Sequence, residues 1–292
     1  MIFDYGITPP VAEIFAHYQP FPEHLSNYNR IFGRSTVARD AEGFLGRPFE
    51  EFISFVRRAG VDRFVVKACD VESTFGIKTR NEVVAELVRA YPDRVVGFAG
   101  VDPHKGVKAV EELSYAVKEL GLRGLNLQLY ELKLAAQDKK IYPLYEKCVE
   151  LDIPVNIHSS GHFSSVIGLG YGHPLNLDEV AVDFPELTII ACPPGWPWVH
   201  ELIAVAWRHP NVYIGLSSLR AAVLGKSGSG YEPLVTYGNS VLQDKLIFGS
   251  GWPLLPLQRS VEEFRALPWK AEVIPKLLGI NLSRALKIEG SA

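Results

Sequence analysis

Only three cysteines occur in 292 residues, and Cys69, Cys148 and Cys192 form neither a C-x-x-C pair nor a disulfide framework. No apolar run approaches the ~20 residues that a bilayer-spanning helix requires. The opening residues, Met1 to Asp4, carry no basic stretch followed by an apolar one, as a secretory signal would. These absences lead to the expectation of a cytoplasmic protein with reduced thiols and no membrane partner. An excess of one charge is missing as well. The 30 basic residues nearly balance 33 acidic ones, for a net charge of −3, which gives no electrostatic basis for binding nucleic acid. No Gly-x-Gly-x-x-Gly follows the first strand pattern, which argues against a dinucleotide-binding fold.

What is present is alternation. Short β-branched runs at 2–5, 64–69, 95–101, 124–129, 154–158, 187–192, 212–216 and 246–250 are separated by amphipathic stretches. Val84, Leu87, Val88 and Tyr91 fall at i, i+3, i+4 and i+7, and so do Val199, Leu202, Ile203 and Ala206. The strands read as continuous apolar runs, the pattern of a parallel sheet buried on both faces. Eight such strands with intervening helices predict an α/β fold, a (β/α)8 TIM barrel, in a single domain spanning 1–292. Residues 11–48, rich in Phe, Tyr, Pro and Asn and carrying His17 and His24, break the repeat and predict a capping insertion over the barrel mouth. The run Gly-Lys-Ser-Gly-Ser-Gly at 225–230 predicts a mobile loop.

In such a barrel the chemistry lies at the carboxyl ends of the strands. Those ends supply Tyr5 and Gly6, Lys67 with Asp70 and Glu72, then Asn126, Gln128 and Tyr130, His158, Cys192, Ser217 with Ser218, and Trp252. His158 closes a buried strand, and imidazole, which titrates near neutral pH, suits a general base for water activation. Lys67 interrupts an apolar run. It is read either as an amine or carboxylate anchor in the site, or as the partner of Asp70 or Glu72 in a salt bridge. Asn126 and Gln128 alternate, so both face one side and suit hydrogen bonding to a carbonyl or carboxylate. Arg220, Lys78 and Arg80 are further cations within reach of an anion. Trp252 is expected in the pocket wall, Cys192 at the end of strand six without a visible base, and His104 at a helix start in a structural role.

Five segments in order carry a resemblance. They are 91–103 (YPDRVVGFAGVDP), 141–158 (IYPLYEKCVELDIPVNIH), 177–187 (LDEVAVDFPEL), 195–199 (GWPWV) and 245–253 (KLIFGSGWP). Together they resemble the amidohydrolase-related branch of the amidohydrolase superfamily, which includes aminocarboxymuconate-semialdehyde and resorcylate decarboxylases. The resemblance implies a His-x-His after strand one, a histidine on strands five and six, and an aspartate on strand eight, most of them holding a divalent metal. Those positions carry here Gly6, Thr8, His158, Pro193 and Gly251. Glycine and proline offer no side-chain donor, whereas zinc takes about four N, S or O ligands. No metal and no other cofactor is therefore expected, unless His162, Cys192, Asp70, Glu72, His17 and His24 converge as substitutes.

The expected function is metal-independent hydrolysis of an activated carbonyl substrate, in particular C–C cleavage of a β-keto acid or β-ketoacyl thioester. His158 would activate water, with Lys67 and Asn126 holding the oxyanion. Gln128, Arg220, Trp252, Tyr5 and Ser217 would contact the substrate. The partner is thus a small carboxylate or acyl compound, and the resemblance adds aromatic-compound degradation and a homo-oligomer. The alternatives are non-oxidative decarboxylation of an aromatic or dienoic acid, and a non-catalytic binding barrel.

Overall fold

The computed structural model describes residues 1–16 and 43–288. Most of the expected insertion at 11–48, with His17 and His24, lies outside the described residues. Eight parallel strands run in sequential order: β1 (Phe3–Asp4), β2 (Arg63–Lys67), β3 (Val95–Gly100), β4 (Leu125–Leu127), β5 (Val155–Ile157), β6 (Ile189–Ala191), β7 (Val212–Leu216) and β8 (Leu246–Phe248). Backbone bonds from Tyr5 N–H to the Phe248 carbonyl and from Thr8 N–H to the Trp252 carbonyl, each 3.0 Å, join the first strand to the last. The architecture is a nearly closed (β/α)8 barrel. Its helices are α1 (Phe49–Arg58), α2 (Asn81–Ala90), α3 (Val107–Lys118), α4 (Tyr142–Glu150), α5 (Asn176–Asp183), α6 (Val199–Arg208), α7 (Glu232–Gly238) and α8 (Leu257–Arg265). Among the described residues, no helix is long and apolar enough to cross a membrane.

The strands are shorter than the apolar runs that announced them. β2 ends at Lys67, and the chain then turns through a two-stranded antiparallel ribbon, Asp70–Val71 against Ile77–Lys78. Apolar character continues beyond the ladder because the strand extensions still face the core; Ala68 and Cys69 are both buried. The run at 225–230 is held by its own turns, with Gly228 N–H and Ser229 Oγ donating to Glu232.

Strand periodicity positions the site. Side chains alternate between barrel interior and helix-facing side. The interior apolar cluster takes Phe3 and Tyr5 from β1 and its extension, Val65 from β2, Val96 and Phe98 from β3, Ile190 and Cys192 from the sixth, and Ile247 from β8. Leu282 and Leu286 of the C-terminal segment join this cluster. Counting on by two along each strand reaches Lys67, Gly100, Cys192 and Gly251. On β4 and β5 the same inward rows hold Asn126 with Gln128 and Asn156 with His158. The polar mouth is the continuation of the apolar interior rows.

Candidate active site

A cavity of about 190 Å³ opens at the carboxyl ends of the strands. Its lining includes Lys67, Asn126, Gln128, His158, Ser217 and Trp252, all read from the sequence as site residues, together with Thr8, Tyr130, Glu131, Asn156, Cys192 and Ser218. Lys67 and His158 enter from β2 and from the end of β5, three strand positions apart around the barrel. A bound molecule would therefore lie between an ammonium and an imidazole.

Lys67 forms neither salt bridge foreseen for it. Asp70 instead accepts from Lys78 at 3.1 Å and Lys105 at 2.7 Å, and Glu72 pairs with Lys105 at 2.8 Å. Asp70 sits on the ribbon beyond the end of β2, and Glu72 opens the short helical turn Glu72–Phe75 that follows it. The Lys67 amine donates to the Tyr5 carbonyl at 2.5 Å and stands 3.7 Å from the centre of the Tyr5 ring. Burial pushes its pKa down from 10.5 to about 8, against the opposing pull of Cys192 and Asp4.

A chain of amides fixes the floor. Tyr5 Oη donates to Asn156 Oδ1 at 2.8 Å, Asn156 Nδ2 to Asn126 Oδ1 at 2.8 Å, and Asn126 Nδ2 to the Ala68 carbonyl at 2.7 Å. The last bond crosses from β4 to the extension of β2, past β3. Only a residue without a side chain permits that: a Cβ on Gly100 would stand 2.6 Å from the Ala68 carbonyl carbon. These bonds orient both amides and leave Asn126 one N–H to offer into the cavity.

His158 is 7% exposed, and its ring lies 4.4 Å from that of Tyr130. Tyr130 in turn stacks on His162 at 4.7 Å and donates its hydroxyl to Glu131 at 2.8 Å. Cys192 is buried beside Lys67. Burial raises its thiol, while Lys67 and the Ser217 backbone N–H draw it back.

Two expected contacts do not form. Tyr5 is fully buried beneath the cavity, with its hydroxyl spent on Asn156, so it supports the floor rather than lining it. Arg220 points outward, where its guanidinium pairs with Glu263 at 2.9 Å. Its φ of −62° and ψ of 120° place it as the cap of the next helical turn, outside the inward row of β7. Lys78 and Arg80 are likewise committed, to Asp70 with Glu112 and to Glu13. Trp252 is in the wall and packs on Phe52 at 4.9 Å. His104 bonds the Leu132 carbonyl, a structural contact. Sequence reasoning missed Asn156 and Glu131. Asn156 was legible, since it lies two residues before His158 on one strand face. Glu131 gave no signal, because it follows the strand within a short helical turn, Leu129–Leu132.

The sequence profile described as amidohydrolase matches residues 36–287. The chain belongs to the amidohydrolase family. A 2-keto-4-carboxy-3-hexenedioate hydratase of Sphingobium sp. is 31% identical over a stretch covering 38% of this amidohydrolase and 38% of that protein. The chain thus matches well under half the length of this curated relative. Among solved structures, an uncharacterised TIM-barrel protein from Bordetella bronchiseptica superposes with a TM-score of 0.83 at 27% identity, over 98% of both chains. A 5-carboxyvanillate decarboxylase from Novosphingobium aromaticivorans, complexed with manganese, has a TM-score of 0.72 at 16% identity over 99% of this chain and 96% of that one.

The manganese in that relative poses the question of whether the residues here suit a divalent ion. They do not. Among the described residues no three of His, Cys, Asp and Glu gather as a metal-binding group. At the end of β1, where the family resemblance puts a ligand, a Cβ on Gly6 would stand 2.0 Å from Ser217 Oγ, so that space is already filled. The cavity lining also carries the Lys67 ammonium, which would repel a divalent ion. The donor set is three amides, hydroxyls, thiols, one imidazole, the Glu131 carboxylate and an amine, and the amides with the amine suit an organic anion.

Proposed function

We propose that this amidohydrolase hydrolyses a small, activated oxo acid or acyl compound, with His158 as the proton-transfer group and Lys67 as the cation that holds developing negative charge. One observation carries the reading: an ammonium that makes no salt bridge among the described residues and an imidazole line one cavity from separated strands. His158 takes a proton from water, and the water oxygen attacks the substrate carbonyl. The oxyanion is held by Lys67 with the free N–H of Asn126 and the amide of Gln128. Collapse breaks the adjacent C–C bond, and the electron pair is protonated at carbon from His158. No step needs a Lewis acid when the leaving group is a stabilised enolate.

A lyase reading shares the same groups. The partial match to a hydratase supports addition of water across a double bond conjugated to a carboxylate or ketone. The decarboxylase likeness in fold supports loss of carbon dioxide, with the electron pair left on the substrate held by the same cationic centre. A panel of 3-oxo acids, 3-oxoacyl thioesters and unsaturated 2-oxo acids in oxygen-18 water, followed by carbon-13 NMR, separates them. Hydrolysis splits the skeleton and labels a new carboxylate. Hydration keeps every carbon and labels a hydroxyl, and decarboxylation releases carbon dioxide while placing no label in a new carboxylate or hydroxyl. His158→Asn is expected to lower turnover by ~10²–10⁴-fold while the far-ultraviolet spectrum is unchanged. Full activity in that variant would overturn the assignment of His158.

A further inference from the structure

Lys67 differs from the other buried or half-buried lysines in what holds it. Lys78 and Lys105 each meet two carboxylates, and Lys245 is capped by the carbonyls of Ala206, His209 and Val212 at the end of α6. Lys67 has one carbonyl acceptor and one aromatic face, both contributed by Tyr5, and no ion pair among the described residues. Its amine is fixed in position with two N–H directions left for the cavity. A lysine so placed can act as a charge or as a nucleophile.

We propose that Lys67 forms a reversible imine with the ketone of a bound 2-oxo or 3-oxo acid. The inference rests on the reading that Lys67 faces the substrate carbonyl, and replaces a hydrogen-bonded oxyanion with an iminium as the acceptor of electrons. The Nζ lone pair forms a bond to the ketone carbon. The carbonyl oxygen takes one proton from Nζ and one from protonated His158 and leaves as water. The resulting iminium receives, through the carbon beside it, the electron pair of that carbon's bond to a carbonyl carbon attacked by water or to a carboxylate. The enamine is then protonated at carbon, and water hydrolyses the iminium to return the amine and a ketone. The Tyr5 ring serves both stages, since its face favours the ammonium and the iminium alike. A pKa brought down to about 8 leaves on the order of a tenth of the amine neutral at pH 7.

Sodium borohydride added to the intact protein with pyruvate or acetoacetate tests the step, with peptide mass mapping as the readout. The expected result is a reduced adduct on the peptide bearing Lys67, with irreversible loss of activity and capture that increases as pH rises toward about 8. Lys245, whose pKa burial also brings down to about 8, lies outside the cavity and is expected to stay unmodified. Lys67→Arg keeps the charge but cannot form an imine, and is expected to lose at least ~10²-fold in turnover. Turnover that survives borohydride, or an arginine variant within ~10-fold of the parent, would overturn the imine and leave Lys67 as a charge in the proposed function. An adduct spread equally over lysines of the surface would overturn it too. Absence of any turnover on oxo acids would instead count against the proposed function itself.

Discussion

At the scale of the residue, burial costs the Lys67 ammonium its hydration, and the single carbonyl of Tyr5 does not restore it. The folded pKa of about 8 therefore lies below the ordinary 10.5. Above pH 8 the folded chain has released this proton while the unfolded chain still holds it. Stability from this group accordingly rises as pH climbs from about 8 toward 10.5, and the full cost is present below 8. Lys67→Met has no proton to release. Urea denaturation of parent and variant is expected to show the parent losing ground to the variant by on the order of 1–3 kcal/mol between high and neutral pH. Lys245 titrates in the same window in both proteins and cancels in the difference. A difference independent of pH would show that the amine is not desolvated.

At the scale of the element, the site is made by strand ends that pass very close to one another. Gly6 lies against the Ser217 side chain from β7 and against the Gly251 backbone at the end of β8. Three elements meet there with room for one hydroxyl. Gly6→Ala forces its new methyl into Ser217 Oγ, an overpacking expected to cost ~1–3 kcal/mol in thermal or denaturant unfolding. Ser217→Gly removes the obstacle, so the double variant is expected to recover most of that loss. Additive effects would mean that the two residues do not share the space. The amide chain across β4, β5 and the extensions of β1 and β2 has the same character. Tyr5 supplies its hydroxyl to one end, and the Ala68 carbonyl receives the other, so the floor is rigid before any substrate arrives.

At the scale of the whole molecule, the barrel is closed where the site is built. Asp4, fully buried at the end of β1, accepts from the N–H groups of Gly6 and of Ser250 after β8 at 2.8 and 2.9 Å. One carboxylate thus ties the first strand to the last directly under the cavity. The cationic centre of that closed mouth is an ammonium rather than a metal in the reading proposed above. Exhaustive dialysis against a chelator is then expected to leave turnover unchanged. Loss of activity restored by added manganese or zinc would overturn that reading and turn attention to His158, His162 and the histidines at 17 and 24.

The sequence by itself determined the repeat and much of the mouth. Eight buried strands with amphipathic helices between them admit few architectures, because parallel strands must be covered on both faces. Strand-end position alone then brought Lys67, Asn126, Gln128, His158, Ser217 and Trp252 into one cavity. Period two would have added Asn156. Only the tertiary structure decided what each group was free to do. Whether Lys67 met Asp70 or faced the cavity depended on the turn after β2, which carries Asp70 away to Lys78 and Lys105. Tyr5 and Arg220 occupy plausible positions in the chain, yet one is spent beneath the floor and the other on Glu263 outside it. Spacing along a strand fixes which face a side chain takes. The partners that satisfy or spare it come from strands and loops distant in sequence, and these meet only when the barrel closes.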